Sequence, residues 1–227
     1  MVTREQLSDI ADLIIRIDGS QPLSARSVAD LSAVCDQAED HGGHNSVIVR
    51  VSGAPGEPPP SDVTSVLVSR WEHALRRLER LPAATIAVAS DDCGGLALDA
   101  LLATDYRIAA SSLRLVVPVA AQSTWPGMAL YRLAQQAGTA AVRRAVLFGA
   151  PIAAGDALAM HLVDELTSDA ASALASAVGL LGTRPGTELA IRRQLMLEAP
   201  TVSFEEALGV HLAACDRTLR QGPAQAG

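Results

Sequence analysis

Asp99 stands one helical turn beyond a Gly-Gly pair, in the run Gly94-Gly95-Leu96-Ala97-Leu98-Asp99. A helix that opens directly after such a turn points its free N–H groups, and the positive end of its dipole, back at the turn. Backbone donors placed there can hold a carbonyl oxygen that is gaining negative charge. A carboxylate one turn inside lies close enough to move a proton beside that carbonyl. Gly95 and Leu96 are therefore candidate backbone donors and Asp99 a candidate acid/base. The same residues also fit a plain strand-to-helix connection in which Asp99 only stabilises the helix start, and spacing alone favours that description.

Other reactive side chains form weaker patterns. Cys35, Cys93 and Cys215 are widely separated and odd in number, without the spacing of a metal site, which suits reduced thiols in a cytoplasm. Cys93 sits at the glycine turn, where a small buried filler is the expected role. His41 and His44 flank Gly42-Gly43, but no third ligand is near, so a solvated loop is expected and no metal site. Ser111-Ser112 and the five histidines show no nucleophile-elbow spacing.

The elements that must position Asp99 follow from periodicity. Thr85–Ala89 (TIAVA) reads as a buried strand that Ser90-Asp91-Asp92 breaks, Leu96–Thr104 as a buried helix, and Tyr106–Ala109 as the next strand. Upstream, Leu13–Ile17 and Ser46–Val51 read as strands. Between them a helix runs to about Glu39, N-capped by Ser24, with Val28, Leu31, Val34 and Cys35 on one face. The proline-rich segment 52–62 reads as a stiff loop. A long helix from Val63 to about Arg80 follows, apolar at Val66, Leu67, Trp71, Leu75 and Leu78. His73, Glu72, Arg76, Arg77, Glu79 and Arg80 form its expected solvated face. Downstream come a strand at Leu113–Val117, a loop at 123–128, helices at Ala129–Gln136 and Ala140–Phe148, an extended Pro151-Ile152, a helix to His161 and a strand at Leu162–Leu166. Helices at Ala170–Leu181, Thr187–Leu197 and Phe204–Leu219 close the chain.

Composition bounds the rest. With 227 residues, 49% hydrophobic but only 3% aromatic, the core must be built from Ala, Val and Leu in closely approaching elements. A net charge of −7 gives no electrostatic case for nucleic acid. No apolar run reaches membrane-spanning length, and the polar MVTREQ start has no signal-peptide character.

The central stretch resembles the signature of the crotonase (enoyl-CoA hydratase/isomerase) superfamily. Its elements here are Pro82, Thr85–Ala89, Gly94-Gly95, Asp99, Asp105 and Ile108-Ala109-Ala110, supported downstream by WPGMALYRLAQQAG and LFGAPIAAGDALAMHLVDEL. The likeness covers Leu13 to about Leu219. It implies an α/β fold, a crotonase-like spiral of ββα repeats over residues 1–167, with a C-terminal helical trimerisation region over 168–227. It also implies a homotrimer or hexamer and an acyl-CoA thioester substrate, CoA entering as part of that substrate with no separate cofactor. The thioester-binding N–H falls on Leu96, beside Gly95, and the first catalytic carboxylate on Asp99. His161 occupies a position where the family usually has Gly, so a packed or exposed role is expected for it.

Two positions depart from the family pattern. With Asp62 on the family's Asp, the first oxyanion donor falls on Pro59, inside Pro58-Pro59-Pro60, and proline has no N–H. Either that donor is missing or the loop takes another path and Gly56, Glu57 or Ser61 supplies it. The second catalytic Glu falls on Val119, after Pro118, which leaves Asp99 alone for proton transfer and places Val119 and Trp125 in the substrate pocket. Within the superfamily, RIDGSQPL, VSGAPGE, RWEHALRRLERLPA, CGGLALDALLA and GTELAIRRQLM resemble the branch that serves 3,5-dihydroxyphenylglycine biosynthesis. That likeness implies a protein working beside a type III polyketide synthase and a sibling crotonase-like hydratase. It would help form 3,5-dihydroxyphenylacetyl-CoA from malonyl-CoA by dehydration or tautomerisation of a polyketide CoA thioester. The alternative is a catalytically impaired module that binds the synthase or its product and raises turnover.

Overall fold

Short apolar runs give the chain its sheet. The computed structural model describes residues 13–42, 45–56, 63–119, 125–181 and 186–221. Its strands are β1 (Leu13–Asp18), β2 (Val47–Gly53), β3 (Thr85–Gly94), β4 (Tyr106–Ala110), β5 (Arg114–Val116), β6 (Ile152–Ala153) and β7 (Glu165–Thr167). The order β1-β2-β3-β4-β7 is parallel throughout, whereas β5 extends the far end of β3 and pairs antiparallel with β6. Parallel neighbours need a crossover, and helices provide it: α1 (Ala25–Asp40), α2 (Ser65–Leu78) and α3 (Leu96–Leu102) each return the chain to the sheet. Ser24 caps α1 by accepting from Ser27 N–H, as its position before the apolar periodicity requires.

One face of the sheet packs Val47, Val49, Val51, Ala87 and Ala89 against Leu31, Cys35, Trp71 and Leu75 of the first two helices. The remaining helices are α4 (Ala129–Ala137), α5 (Thr139–Phe148), α6 (Ala154–Ala159), α7 (Ala170–Leu181), α8 (Gly186–Glu198) and α9 (Phe204–Gln221). The opposite face buries Ile86 and Ile108 beneath Ala173 and Ala177 of α7. Every residue of α3 is buried. Only Ala and Leu accompany Asp99 in that helix, and small side chains let it lie close to the sheet.

Three expectations need correction. Ser90-Asp91-Asp92 does not end β3. Asp91 takes a left-handed φ of 55° and kinks the strand, which then resumes opposite β5 with Arg114 donating to both carboxylate oxygens of Asp92 at 2.6 and 2.8 Å. The strand–strand–helix unit thus appears as two halves of one bent strand followed by α3. Glu72 and Glu79 do not form part of a solvated face. Arg132 of α4 donates to both at 2.8 and 2.9 Å, with all three side chains largely buried. Val66, assigned to the apolar side of α2, is 61% exposed. The His41 to His44 pattern and the 52–62 and 123–128 loops fall partly outside the described residues, as do Glu57, Pro58-Pro59-Pro60, Ser61 and Asp62 entirely.

The C-terminal helix α8 is held by a buried cation. Arg193 of α8 donates to both oxygens of Asp105 at 2.6 Å and to the Leu81 and Ala83 carbonyls at 2.7 and 3.0 Å. Asp105 in turn accepts from the Thr85 N–H and hydroxyl. The acidic residue before β4 therefore joins the first residue of β3 to the tail.

Candidate active site

The Gly95 turn and the start of α3 line a cavity of about 250 Å³. Gly95 makes the turn with φ 51°, ψ −128°, a conformation that side chains rarely tolerate, and Pro55 packs 3.2 Å from where a Cβ would stand. No side chain caps α3, and Leu96, its first residue, has an N–H without an intrahelical acceptor. Gly95 and Leu96 both line the cavity, as do Gly56 from the loop after β2 and Trp125 with Pro126 from the segment before α4. Ser20, Gln21 and Leu23 complete one side. Of the residues assigned to the site from the sequence, Leu96, Gly95, Gly56 and Trp125 therefore meet at one hollow.

Asp99 is not among the lining residues. It lies one turn below, 2% exposed, beneath the segment that carries Trp125. The Trp71 indole N–H donates to its Oδ2 at 3.4 Å, and Oδ1 has no partner. A Cβ on Gly127, which has φ 137°, would stand 2.9 Å from Oδ2, so that glycine packs directly over the carboxylate. Burial raises the Asp99 pKa to about 7, reinforced by the nearby negative charge of Glu72. Arg132, the Trp71 N–H and a backbone hydrogen bond from Ala129 oppose the shift.

Val119 also lies outside the cavity lining. It follows β5, is 41% exposed, and packs against Gly149. Its side chain has no proton to transfer. Cys93 is fully buried and its pKa is raised by burial and by Asp99, so it is no ready nucleophile. His161 is exposed at a left-handed φ of 57°, the backbone conformation that explains why glycine suits this position. Among the described residues no cluster of His, Cys, Asp or Glu is arranged to hold a metal ion. Likewise no described helix is long and apolar enough to cross a membrane.

Sequence reasoning missed two parts of this arrangement. Asp18 accepts from the N–H and hydroxyl of Ser20 at 2.9 and 2.7 Å, fixing the turn that brings Ser20 and Gln21 to the cavity. Those hydrogen bonds hold the Asp18 carboxyl below its ordinary range. The second is the link from α2 to Asp99 through Trp71. A Trp on an apolar helix face, in a chain with only two, was the available signal. Its N–H had to find a buried acceptor.

What the cavity offers is chemically narrow. It has a backbone donor at the start of a helix, apolar walls, and two neutral polar side chains. Among the described residues none of those lining it is ionisable. Such a site can hold and polarise a carbonyl oxygen, but none of the described side chains in the hollow would carry the proton.

No family model matches the chain. The chain is 51% identical to an enoyl-CoA-hydratase of Amycolatopsis orientalis, across 92% of its own length and 97% of that protein. In architecture it is similar to an enoyl-CoA hydratase/isomerase from Marinobacter aquaeolei. The TM-score is 0.76 at 16% identity, covering 91% of this chain and 87% of that one. An enoyl-CoA hydratase from Bacillus anthracis also superposes with a TM-score of 0.76, at 18% identity over 92% and 88% of the two chains.

Proposed function

The chain belongs to the enoyl-CoA hydratase/isomerase (crotonase) superfamily, and from that premise we propose that it binds a polyketide CoA thioester and stabilises its enol at the Leu96 amide. The observation that carries this reading is the backbone donor of an uncapped helix start opening into a hollow lined by no ionisable residue among those described. The proposed consequence is dehydration or tautomerisation towards 3,5-dihydroxyphenylacetyl-CoA beside a type III polyketide synthase and a sibling hydratase, in the cytoplasm where CoA thioesters are made. A β-polyketo chain suits such a site. Its α-protons lie between two carbonyls and are already acidic, so holding one carbonyl oxygen advances enolisation without a strong base. With Val119 where the family has its second Glu, a two-carboxylate addition of water is outside this proposal. No metal or redox cofactor enters it, and CoA is part of the substrate.

A second reading, a module that binds the synthase or its product, is favoured by the same lack of a lining acid or base among the described residues. Reconstitution with the synthase separates the two. Catalytic amounts of this protein suffice if it turns over, whereas stoichiometric amounts are needed if it only binds. Leu96→Pro then tests the donor. Proline is tolerated at the first helical position and removes only the N–H, whereas Leu96→Ala keeps it. Loss of one such donor lowers the rate about a hundredfold or more. Equal activity of the proline and alanine variants, both folded, would overturn the proposal. The assembly proposed is a homotrimer or hexamer built through the C-terminal helices, which sedimentation velocity reads directly.

A further inference from the structure

We propose that Asp99 is a positioning residue: it fixes the start of α4, and with it the Trp125–Pro126 wall of the cavity, and carries no proton to or from the substrate. This rests on the reading of the cavity as an acyl-CoA site.

The geometry is that of a clamp with two jaws. The segment from Trp125 to Met128 leaves the cavity and enters α4 at Ala129. The N-cap of α4, Met128, makes no side-chain cap bond, so the helix start must be satisfied from outside. Glu72 does this, and Asp99 packs against the residue just before Met128, so two acidic residues on different helices hold the segment that enters α4. Glu72 of α2 accepts from the Met128 N–H at 2.9 Å through Oε1 while its Oε2 holds Arg132 one turn further along α4. Asp99 of α3 accepts the indole N–H of Trp71, the residue next to Glu72, and its carboxylate lies directly beneath Gly127. The approach is so close that no Cβ fits. Both jaws hold backbone, and the wall they hold is the next two residues.

Several facts oppose a proton-carrying role for the same carboxylate. Asp99 is 2% exposed, it does not line the hollow, and Gly127 stands over it. The charged and titratable groups around it are Glu72 from α2, Arg132 from α4 and Cys93 from β3, and none of these lines the cavity. A tether needs an acceptor oxygen, not a charge, so the neutral acid serves as well as the anion. Asparagine therefore replaces it, and leucine does not. Because α3 also begins with the Leu96 amide, one short helix sets both the carbonyl donor and the opposite wall.

The test compares Asp99→Asn, Asp99→Leu and Gly127→Ala with the wild type. It uses acetoacetyl-CoA binding, stimulation of the synthase at saturating protein, and acrylamide quenching of tryptophan in the free protein. Trp71 is 1% exposed, so the quenchable emission belongs to Trp125. Asp99→Asn should keep affinity and saturated rate within about threefold, since an acceptor oxygen remains. Asp99→Leu and Gly127→Ala should weaken binding about tenfold, leave the saturated rate within a few fold, and increase quenching. If the leucine variant does not fold, Gly127→Ala carries the test alone, because it removes no polar group. A hundredfold fall in saturated rate for Asp99→Asn, with affinity retained, would make Asp99 the proton carrier and overturn the proposal. Unchanged quenching in Asp99→Leu and Gly127→Ala would overturn it independently. Failure of the wild type to bind acetoacetyl-CoA would sink the acyl-CoA reading instead, and quenching would still decide whether Asp99 holds the wall.

Discussion

Asp99 shows how far one residue's role depends on its surroundings. From spacing it reads either as an acid/base or as a residue that steadies a helix. The structure gives it a third set of contacts, with Trp71 and the glycine above it. Its pKa of about 7 has a measurable consequence for stability. The folded-state value is raised above the unfolded value near 3.8, so the folded protein holds this proton where the unfolded chain has released it. Below about pH 4 the group contributes no pH dependence. Between there and about pH 7 folding loses stability as pH rises, by an amount on the order of 4 kcal/mol, and above that range the loss is constant. Asp99→Asn removes this pH dependence. Urea melts between pH 5 and 8 should therefore show the variant gaining on the wild type as pH rises, with the gap levelling off above pH 7. A gap that is constant across the range would contradict the assigned burial of the charge.

At the scale of elements, most of the chain was legible because its signals are local. Ser24 before the first apolar stripe and the Gly149 stop after α5 each mark an element boundary, and the structure follows them. What local pattern does not contain is the partner across space. Asp92 has the look of a strand breaker until Arg114 pairs with it, and Glu72 and Glu79 look solvated until α4 brings Arg132 between them. The same limit applies to Arg193, one of several charges on α8 with nothing in the sequence to distinguish it from Arg192. Arg193 is 5% exposed and pinned to Asp105 and two carbonyls, whereas Arg192 is 59% exposed and meets only Glu188, one turn away. Arg193→Met should cost about 3–5 kcal/mol because it strands a buried carboxylate. Arg192→Met should change stability by about 0.5 kcal/mol or less. Denaturant melts of the two variants measure the contrast, and equal losses would mean that α8 is not anchored through Asp105.

For the molecule as a whole, the parallel sheet places the ends of β1, β2 and β3 together, and the cavity forms where those ends meet the start of α3. Pattern along the chain supplies those ends, and so the location of the hollow follows from the fold class. Which side chains enter it does not, since that depends on the turn at Asp18 and on the wall before α4. At the far side, α9 leaves Phe204, Leu212 and Leu219 between 57% and 74% exposed, a face consistent with the proposed assembly of copies. The central claim, however, concerns one amide. Its most direct test is the infrared carbonyl stretch of acetoacetyl-CoA carrying a carbon-13 label at the thioester carbon, bound to wild-type, Leu96→Ala and Leu96→Pro protein. A hydrogen bond from Leu96 predicts a shift to lower frequency with the first two that is lost with the third. A bound carbonyl whose frequency is the same in all three would show that the Leu96 amide does not hold it.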